Sequence, residues 1–325
     1  MPPLAIGFGA PRGVGDPRGF GPPSHTRMLA YAQRAEELGF DSVWFPDHFY
    51  FERPPGVFTP YPEAWTTMTA TLATTKRVRV GSMVLAAGFR HPALLAHMAS
   101  ALHELSGGRL LLGLGAGNQV AEHTAFGLGF DRRVGRFEEY LEILTRLLKG
   151  ETVTLRGKHY QLENASLLRP TPQVPIVVAA GGDRMTHLTA KYADGWNAAG
   201  AGGLDGELFR QKLAALRAAV EAEGRDPDQF EITYSATVMV AADQTQADQY
   251  VDLLASIPPA ISPAEVRERF VVGTPDQVAT ILRRPLEWGA NHLICAIGAQ
   301  PFTIWSDAMV ELFAKEVMPR LRAGR

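Results

Sequence analysis

Arg77-Val78-Arg79-Val80-Gly81-Ser82-Met83-Val84-Leu85 opens the stretch that decides the fold, and Arg109-Leu110-Leu111-Leu112-Gly113-Leu114-Gly115-Ala116-Gly117-Asn118 closes it. The first segment is β-branched and apolar, as a buried strand is. Ala86-Ala87-Gly88-Phe89-Arg90-His91-Pro92 turns the chain, with Pro92 suited to the first turn of a helix. Apolar residues then recur at helical spacing from Ala93 to Leu105, and Gly107-Gly108 stop the helix. The second apolar segment leaves through small residues. Strand, helix and strand joined by short loops make one βαβ unit with parallel strands. Ligands of parallel α/β sheets bind at the carboxyl ends of the strands, so both small-residue loops mark the expected site.

Working outward, the same grammar repeats. Strands are predicted at Leu4 to Phe8, Phe40 to Phe45, Pro175 to Ala179, Gly195 to Ala198, Glu231 to Val240 and His292 to Ile297. Helices fall between them, including 24–38, 62–75, 134–149, 205–223, 244–254, 275–288 and 302–321, with Pro258-Pro259 as a breaker. Three segments echo one another: Leu38-Gly39-Phe40-Asp41, Tyr192-Ala193-Asp194-Gly195 and Trp288-Gly289-Ala290-Asn291. Each ends a helix, turns on small and Asp or Asn residues, and enters a strand, as αβ loops repeated around one sheet do. Eight strands and their helices in 325 residues suit a (β/α)8 TIM barrel forming a single domain over 1–325. An open doubly wound sheet is the alternative. A glycine turn between Thr152 and Leu162 reads as a hairpin inserted into that barrel.

Composition excludes several functions. The net charge of −2 leaves no electrostatic footprint for nucleic acid or an anionic membrane. No apolar run reaches the ~20 residues of a membrane span, and no signal peptide is visible, so a cytoplasmic location is expected. The lone Cys295 lies in an apolar run and reads as core. The first strand lacks the His-x-His of a barrel zinc hydrolase, and His91, His97 and His103 do not share a helix face, so no metal site is expected. None of Lys76, Lys149, Lys158, Lys191, Lys212 and Lys315 lies in a predicted strand, against a Schiff-base aldolase.

The candidate chemistry sits at strand ends. Asp47-His48 follows the second strand and offers general acid/base groups, with Asp47 placed to orient the imidazole or its backbone. Gly113-x-Gly115-x-Gly117 is not the GxGxxG of a dinucleotide fold; it is a tight loop where a ligand can pack on Gly117 and Asn118. Ala180-Gly181-Gly182 opens a helix, and its free N–H groups suit a phosphate, with Arg184 adding charge. Aromatic residues around Phe49-Tyr50-Phe51 and Phe58-Tyr61-Trp65 suit the wall of an apolar substrate cavity.

These segments together resemble the bacterial luciferase-like monooxygenase superfamily, most of all its coenzyme F420-dependent oxidoreductase branch. The carrying residues are Ala35-Glu36-Glu37-Leu38-Gly39-Phe40-Asp41-Ser42-Val43-Trp44, Asp47-His48-Phe49, Leu105-Ser106-Gly107-Gly108-Arg109, Ala125-Phe126-Gly127, Arg136-Phe137-Glu138-Glu139 and Tyr192-Ala193-Asp194-Gly195-Trp196-Asn197. The resemblance implies a TIM barrel, a small-molecule substrate, a homodimer, and hydride transfer with F420. Its alternatives are an FMN-dependent monooxygenase or a flavin-binding protein without turnover. It places Asp47 and His48 near the cofactor ring, a non-prolyl cis peptide at Met83-Val84 beneath that ring, and the cofactor phosphate at Gly181 and Gly182. The loop after the fourth strand, often Gly-Trp-His-Glu-Pro-Glu in the family, here reads Gly117-Asn118-Gln119-Val120-Ala121-Glu122. Asn118 stands where a related dehydrogenase carries an acid, so this loop is expected to set substrate preference.

Overall fold

The echoed αβ loops have a physical reason. The Asp41 carboxylate accepts the N–H of Ile6 at 2.7 Å, Asp194 that of Ile176 at 3.0 Å, and the Asn291 side-chain oxygen that of Ile232 at 2.8 Å. Each side chain reaches across from its own strand entrance and satisfies the neighbouring strand at the same level, which holds the register there. The preceding glycines at two of these turns, Gly39 and Gly289, have φ of +85° and +111°, a conformation that favours glycine.

The computed structural model describes residues 3–323 apart from 12, 15–20, 22, 53–57, 169–172, 199–205, 258–259, 299–302 and 305. The expected break at Pro258-Pro259 and part of the aromatic loop after Tyr50 lie outside the described residues. Eight parallel strands close on themselves: β1 Ala5–Gly9, β2 Ser42–Phe45, β3 Arg79–Ser82, β4 Leu110–Gly115, β5 Ile176–Ala179, β6 Gly195–Asn197, β7 Glu231–Val240 and β8 His292–Ile297. Each pairs with its successor, and β8 pairs with β1. This is a (β/α)8 TIM barrel. Helices cover its outside, among them α1 His25–Glu37, α2 Ala64–Thr74, α3 Pro92–Leu105, α5 Arg133–Leu148 and α6 Asp183–Tyr192, while the short α4 Val120–Ala125 lies in the loop after β4. No helix among the described residues is long and apolar enough to cross a membrane.

Local signals behave as their chemistry requires. Ser24 caps α1 by accepting the N–H of Arg27, and Pro92 occupies the first turn of α3. The hairpin insertion forms from Val153–Arg156 and Gln161–Ala165. After Gly107 and Gly108 turn with positive φ, the Arg109 guanidinium ties together the carbonyls of Leu72, Thr75, Val78 and Ser106. One anchor thus joins α2, α3 and the entrances of β3 and β4.

Inside the barrel, Trp44, Leu111, Val177 and Ile294 form their own buried cluster, capped by Met83. They come from β2, β4, β5 and β8 and pack against one another inside the barrel. Trp44 needs bare backbone beside it. A Cβ on Gly81 would collide with its ring, and one on Gly7 would meet Ser42 Oγ and the indole nitrogen. Cys295 is fully buried, which raises its thiol pKa to about 12, so the core reading holds.

Three expectations change. The strand expected to run unbroken to Leu85 stops at Ser82; the Met83–Val84 bond is cis and Leu85–Ala86 pairs separately with β4. The loop expected from Asn118 to Phe130 contains α4. Pro263–Arg269 forms a helix, started by a Ser262/Glu265 capping box, where none was expected.

Candidate active site at the carboxyl mouth

The glycines leaving β4 are explained by what crosses them. A Cβ on Gly113 would collide with the carbonyl of Ser82, and one on Gly115 would stand 2.7 Å from Val84 Cγ2. Gly117 has φ +87° and lies against the His123 ring. The tight-loop reading therefore holds. Bare backbone in β4 lets the Ser82-Met83-Val84 turn approach, and Met83 reaches the barrel interior, where its sulfur accepts from Ser235 Oγ at 3.3 Å. Met83 and Val84 both remain partly exposed.

Asp47 and His48 part company. The buried Asp47 carboxylate accepts both terminal nitrogens of Arg90, at 2.7 and 3.2 Å, and the N–H of Ala86 at 3.0 Å. Arg90 also bonds Glu63. Burial pushes the Asp47 carboxyl up, with Arg90 and the Ala86 N–H acting against it. Asp47 thus fastens the loop after β3 to the end of β2, and the expectation that it orients His48 is corrected.

The partner of His48 is Glu122. Its Oε2 lies 2.8 Å from His48 Nδ1, while Oε1 accepts the N–H groups of Phe49 and Tyr50 at 2.7 and 3.1 Å. The Glu122 side chain is 1% exposed and that of His48 13%. Burial alone would raise the Glu122 pKa; the His48 hydrogen bond and charge and the two N–H groups outweigh it, and the carboxyl is held below its usual range. Glu122 is therefore an ionised group that grips one imidazole nitrogen and two backbone donors. Neighbouring His123 is equally buried, with Nδ1 2.9 Å from the Gln119 carbonyl.

Around this pair stands an aromatic wall from three successive loops. Phe49 stacks on Phe89 at 4.4 Å between ring centres and meets Phe126 at 4.2 Å, and Tyr50 meets Phe58 edge-on at 5.0 Å. Asn118 is exposed at the exit of β4.

Across the mouth, Gly182 caps the ten-residue α6. Nothing lies within 4 Å of a Cβ built on Gly181 or Gly182, so the helix N-terminus has open space in front of it. Ala180 is buried, and its carbonyl accepts Trp196 Nε1 at 3.0 Å. Arg184 is exposed and bonds Glu138 of α5 at 2.6 Å. A Cβ on Gly135 would stand 3.6 Å from His159 Nε2 and 3.8 Å from Arg184 Nη2, so α5, the inserted hairpin and α6 meet beside the open glycines.

The sequence pattern of the luciferase-like monooxygenase family matches residues 6–267. The chain belongs to that family. An F420-dependent glucose-6-phosphate dehydrogenase from Amycolatopsis mediterranei (strain U-32) is 30% identical, over 91% of this chain and 94% of its own. One from Kineococcus radiotolerans (strain ATCC BAA-149 / DSM 14245 / SRS30216) is also 30% identical, over 91% and 93%. Among solved structures, a monooxygenase from Streptomyces bottropensis superposes with TM-score 0.79 at 26% identity, covering 97% of this chain and 99% of that one. An F420-dependent secondary alcohol dehydrogenase superposes with TM-score 0.80 at 20% identity, over 99% and 100% of the two chains, and shares the barrel.

The cis bond that the resemblance implied at Met83-Val84 is present, and Asp47 and His48 follow the end of β2. Sequence reasoning keeps Glu122 only as a fallback catalytic residue, with no partner assigned, and does not single out Arg90. No local signal joins either to its partner: Glu122 lies 74 residues from His48, and Arg90 lies 43 from Asp47. Glu122 stood at the end of the quoted loop, but a loop reading hid that α4 aims it inward.

Proposed function

We propose that this chain is an F420-dependent oxidoreductase that moves hydride between the deazaflavin and a small organic carbinol or carbonyl compound. The observation that carries this reading is His48, a partly exposed imidazole just after β2 gripped by a buried carboxylate. It stands in a chain similar over nearly its whole length to F420-dependent dehydrogenases. The residues present fit such a cofactor. The open backbone at Gly181 and Gly182 before α6 suits its phosphate, with Arg184 at the rim, while Met83, Val84, Gly117 and Asn118 would flank its ring. Bound F420 would supply a hydride acceptor or donor, chemistry that no side chain offers.

The protein's share is position and proton traffic. Loss of hydride from a carbinol carbon makes its hydroxyl acidic, and His48 takes that proton; in the reverse direction His48 returns it to the forming alkoxide. The aromatic wall excludes water and favours an apolar substrate body. Asn118 meets the substrate at the loop after β4. A homodimer belongs to the same reading, and size-exclusion chromatography with light scattering checks it.

The similarity to the Streptomyces monooxygenase favours a second reading, a monooxygenase using reduced FMN and oxygen. Titration with each cofactor separates the two. Micromolar binding of F420 and weak binding of FMN are expected, and the opposite order would reverse the ranking. Turnover of secondary alcohols with oxidised F420, followed at its absorbance band, then excludes a binding protein without activity.

A further inference from the structure

We infer that Glu122 is the positioning residue that sets which nitrogen of His48 does the chemistry. The inference rests on the reading of His48 as the proton-transfer group. Each oxygen of Glu122 has a distinct duty. Oε1 must accept, because two backbone N–H groups, of Phe49 and Tyr50, point at it. That leaves Oε2 for His48 Nδ1, at 2.8 Å. A carboxylate can only accept, so neutral His48 must carry its proton on Nδ1. The lone pair is thereby assigned to Nε2, and on the proposed reading that is the nitrogen that exchanges a proton with the substrate. The same side chain bolts the loop after β2 to α4 after β4, so tautomer and loop position are set by one group. The carboxylate is 1% exposed, so water does not compete for either oxygen.

Glutamine makes the inference testable, because it nearly matches the shape and reverses one polarity. In Glu122→Gln the side-chain oxygen must still face Phe49 and Tyr50, since an NH2 there would oppose two donors. The NH2 then faces His48 Nδ1, which must accept, and the proton moves to Nε2. The expected result with the F420-loaded enzyme is a fall in kcat of about tenfold or more. Cofactor Kd should stay within about threefold, because phosphate binding is assigned to other loops. The double variant His48→Ala/Glu122→Gln should be no slower than His48→Ala, since Glu122 acts through a ring that is already gone.

Nitrogen-15 NMR of the imidazoles, with His48 assigned by its absence in His48→Ala, reads the tautomer directly. The Nδ1–H form is expected in the unaltered protein and the Nε2–H form in Glu122→Gln. An Nε2–H form in the unaltered protein overturns the inference even if the glutamine variant does not fold. So does a double variant slowed well beyond His48→Ala, or wild-type kcat in Glu122→Gln beside a slow His48→Ala. Full turnover by His48→Ala is a different result: it removes the catalytic reading of His48 itself.

Discussion

Two histidine–carboxylate pairs occupy opposite ends of this barrel. At the base, His292 and Glu231 are the first residues of β8 and β7. Their Nδ1–Oε1 distance is 2.5 Å, the far nitrogen of His292 meets Ser42 Oγ at 2.7 Å, and that hydroxyl accepts Trp44 Nε1 at 2.8 Å. Arg79 closes the chain on Glu231 at 2.9 Å. At the mouth, His48 and Glu122 are joined at 2.8 Å, but the carboxylate's other contacts are backbone groups of a loop. The His292 side chain is 1% exposed and that of His48 13%. Both rings are held by an ionised carboxylate, and the mouth ring is the more exposed of the two. Serine, histidine and glutamate at the base have the order of a hydrolase triad, yet Ser42 is sealed under Gly7 and Trp44, where no acyl group fits. The same pairing is sealed off at the base, whereas at the mouth it is the pair to which we assign proton transfer.

The sharpest way to break this contrast is to delete each ring. His48→Ala should lower kcat by roughly 10²–10⁴-fold and cost less stability than the base variant, because Glu122 keeps the Phe49 and Tyr50 N–H groups. His292→Ala should act chiefly on stability. Removing one member of a buried pair typically costs about 3–5 kcal/mol, while turnover per folded molecule should persist. Denaturant titration and steady-state kinetics on both variants check this. A His292→Ala protein that is stable but inactive would move the active site to the base.

Next in size is a pH effect. Burial works to raise the Glu231 pKa, but His292 and Arg79 outweigh it and hold the carboxyl near about 2, against 4.5 ordinarily. A depressed folded value means that the stabilisation is complete above the unfolded pKa and is lost as pH falls through the folded one. The base network should therefore contribute about 3 kcal/mol near neutrality, lost between about pH 4.5 and 2. Unfolding measured from pH 6 to 2 should show the gap between the unaltered protein and Glu231→Gln closing over that window. A constant gap would mean that Glu231 stabilises by shape alone.

The two ends were unequally legible in the sequence. Barrel strands announce themselves through local composition, and the Asp and Asn of the αβ loops recur because the base is built eight times over. Glu231, Arg79 and His292 sat in those strands without advertising their mutual contact, since a closed sheet joins residues far apart in the chain. At the mouth, Asp47-His48 drew notice as adjacent acid and base, yet adjacency misleads at a strand end. Successive side chains there point to different neighbours, so Asp47 went to Arg90 and His48 to Glu122. The helix start after Gly181 and Gly182 was legible because a strand leading through small residues into a helix has one geometry. Arg184 was placed on the right helix, but its distance from Glu138 depends on how α5 packs on α6.

Glycines sharpen the contrast on a smaller scale. Inside the barrel, Gly81→Ala forces a methyl into the Trp44 ring, and overpacking of this kind typically costs about 1–3 kcal/mol. At the mouth, Gly182 has φ −126° and ψ 166°, extended backbone that any residue adopts, and its Cβ would meet nothing. Gly182→Ala should therefore change stability by less than about 0.5 kcal/mol. If the cofactor phosphate seats there, its affinity should fall roughly tenfold, about 1.4 kcal/mol. Unchanged F420 affinity in Gly182→Ala would remove the phosphate from this loop.

The smallest effects are expected from the arginines. Arg79 belongs to a network of half-buried groups, whereas Arg184 is 61% exposed and faces Glu138, which is 45% exposed. An exposed ion pair contributes little, so Arg184→Ala should leave stability within about 0.5 kcal/mol, against roughly 1 kcal/mol or more for Arg79→Ala. For F420 binding, the N–H groups ahead of α6 can hold a phosphate without a side-chain cation. Arg184 adds only a charge already shared with Glu138. Arg184→Ala should weaken F420 binding less than tenfold, and added salt should shrink the difference, because a screened surface charge is the term removed. Isothermal titration at low and high salt measures both. Abolished binding at either salt would show that the phosphate leans on the guanidinium rather than on the helix start, and Glu138 would then be the group that must let Arg184 go when the cofactor arrives.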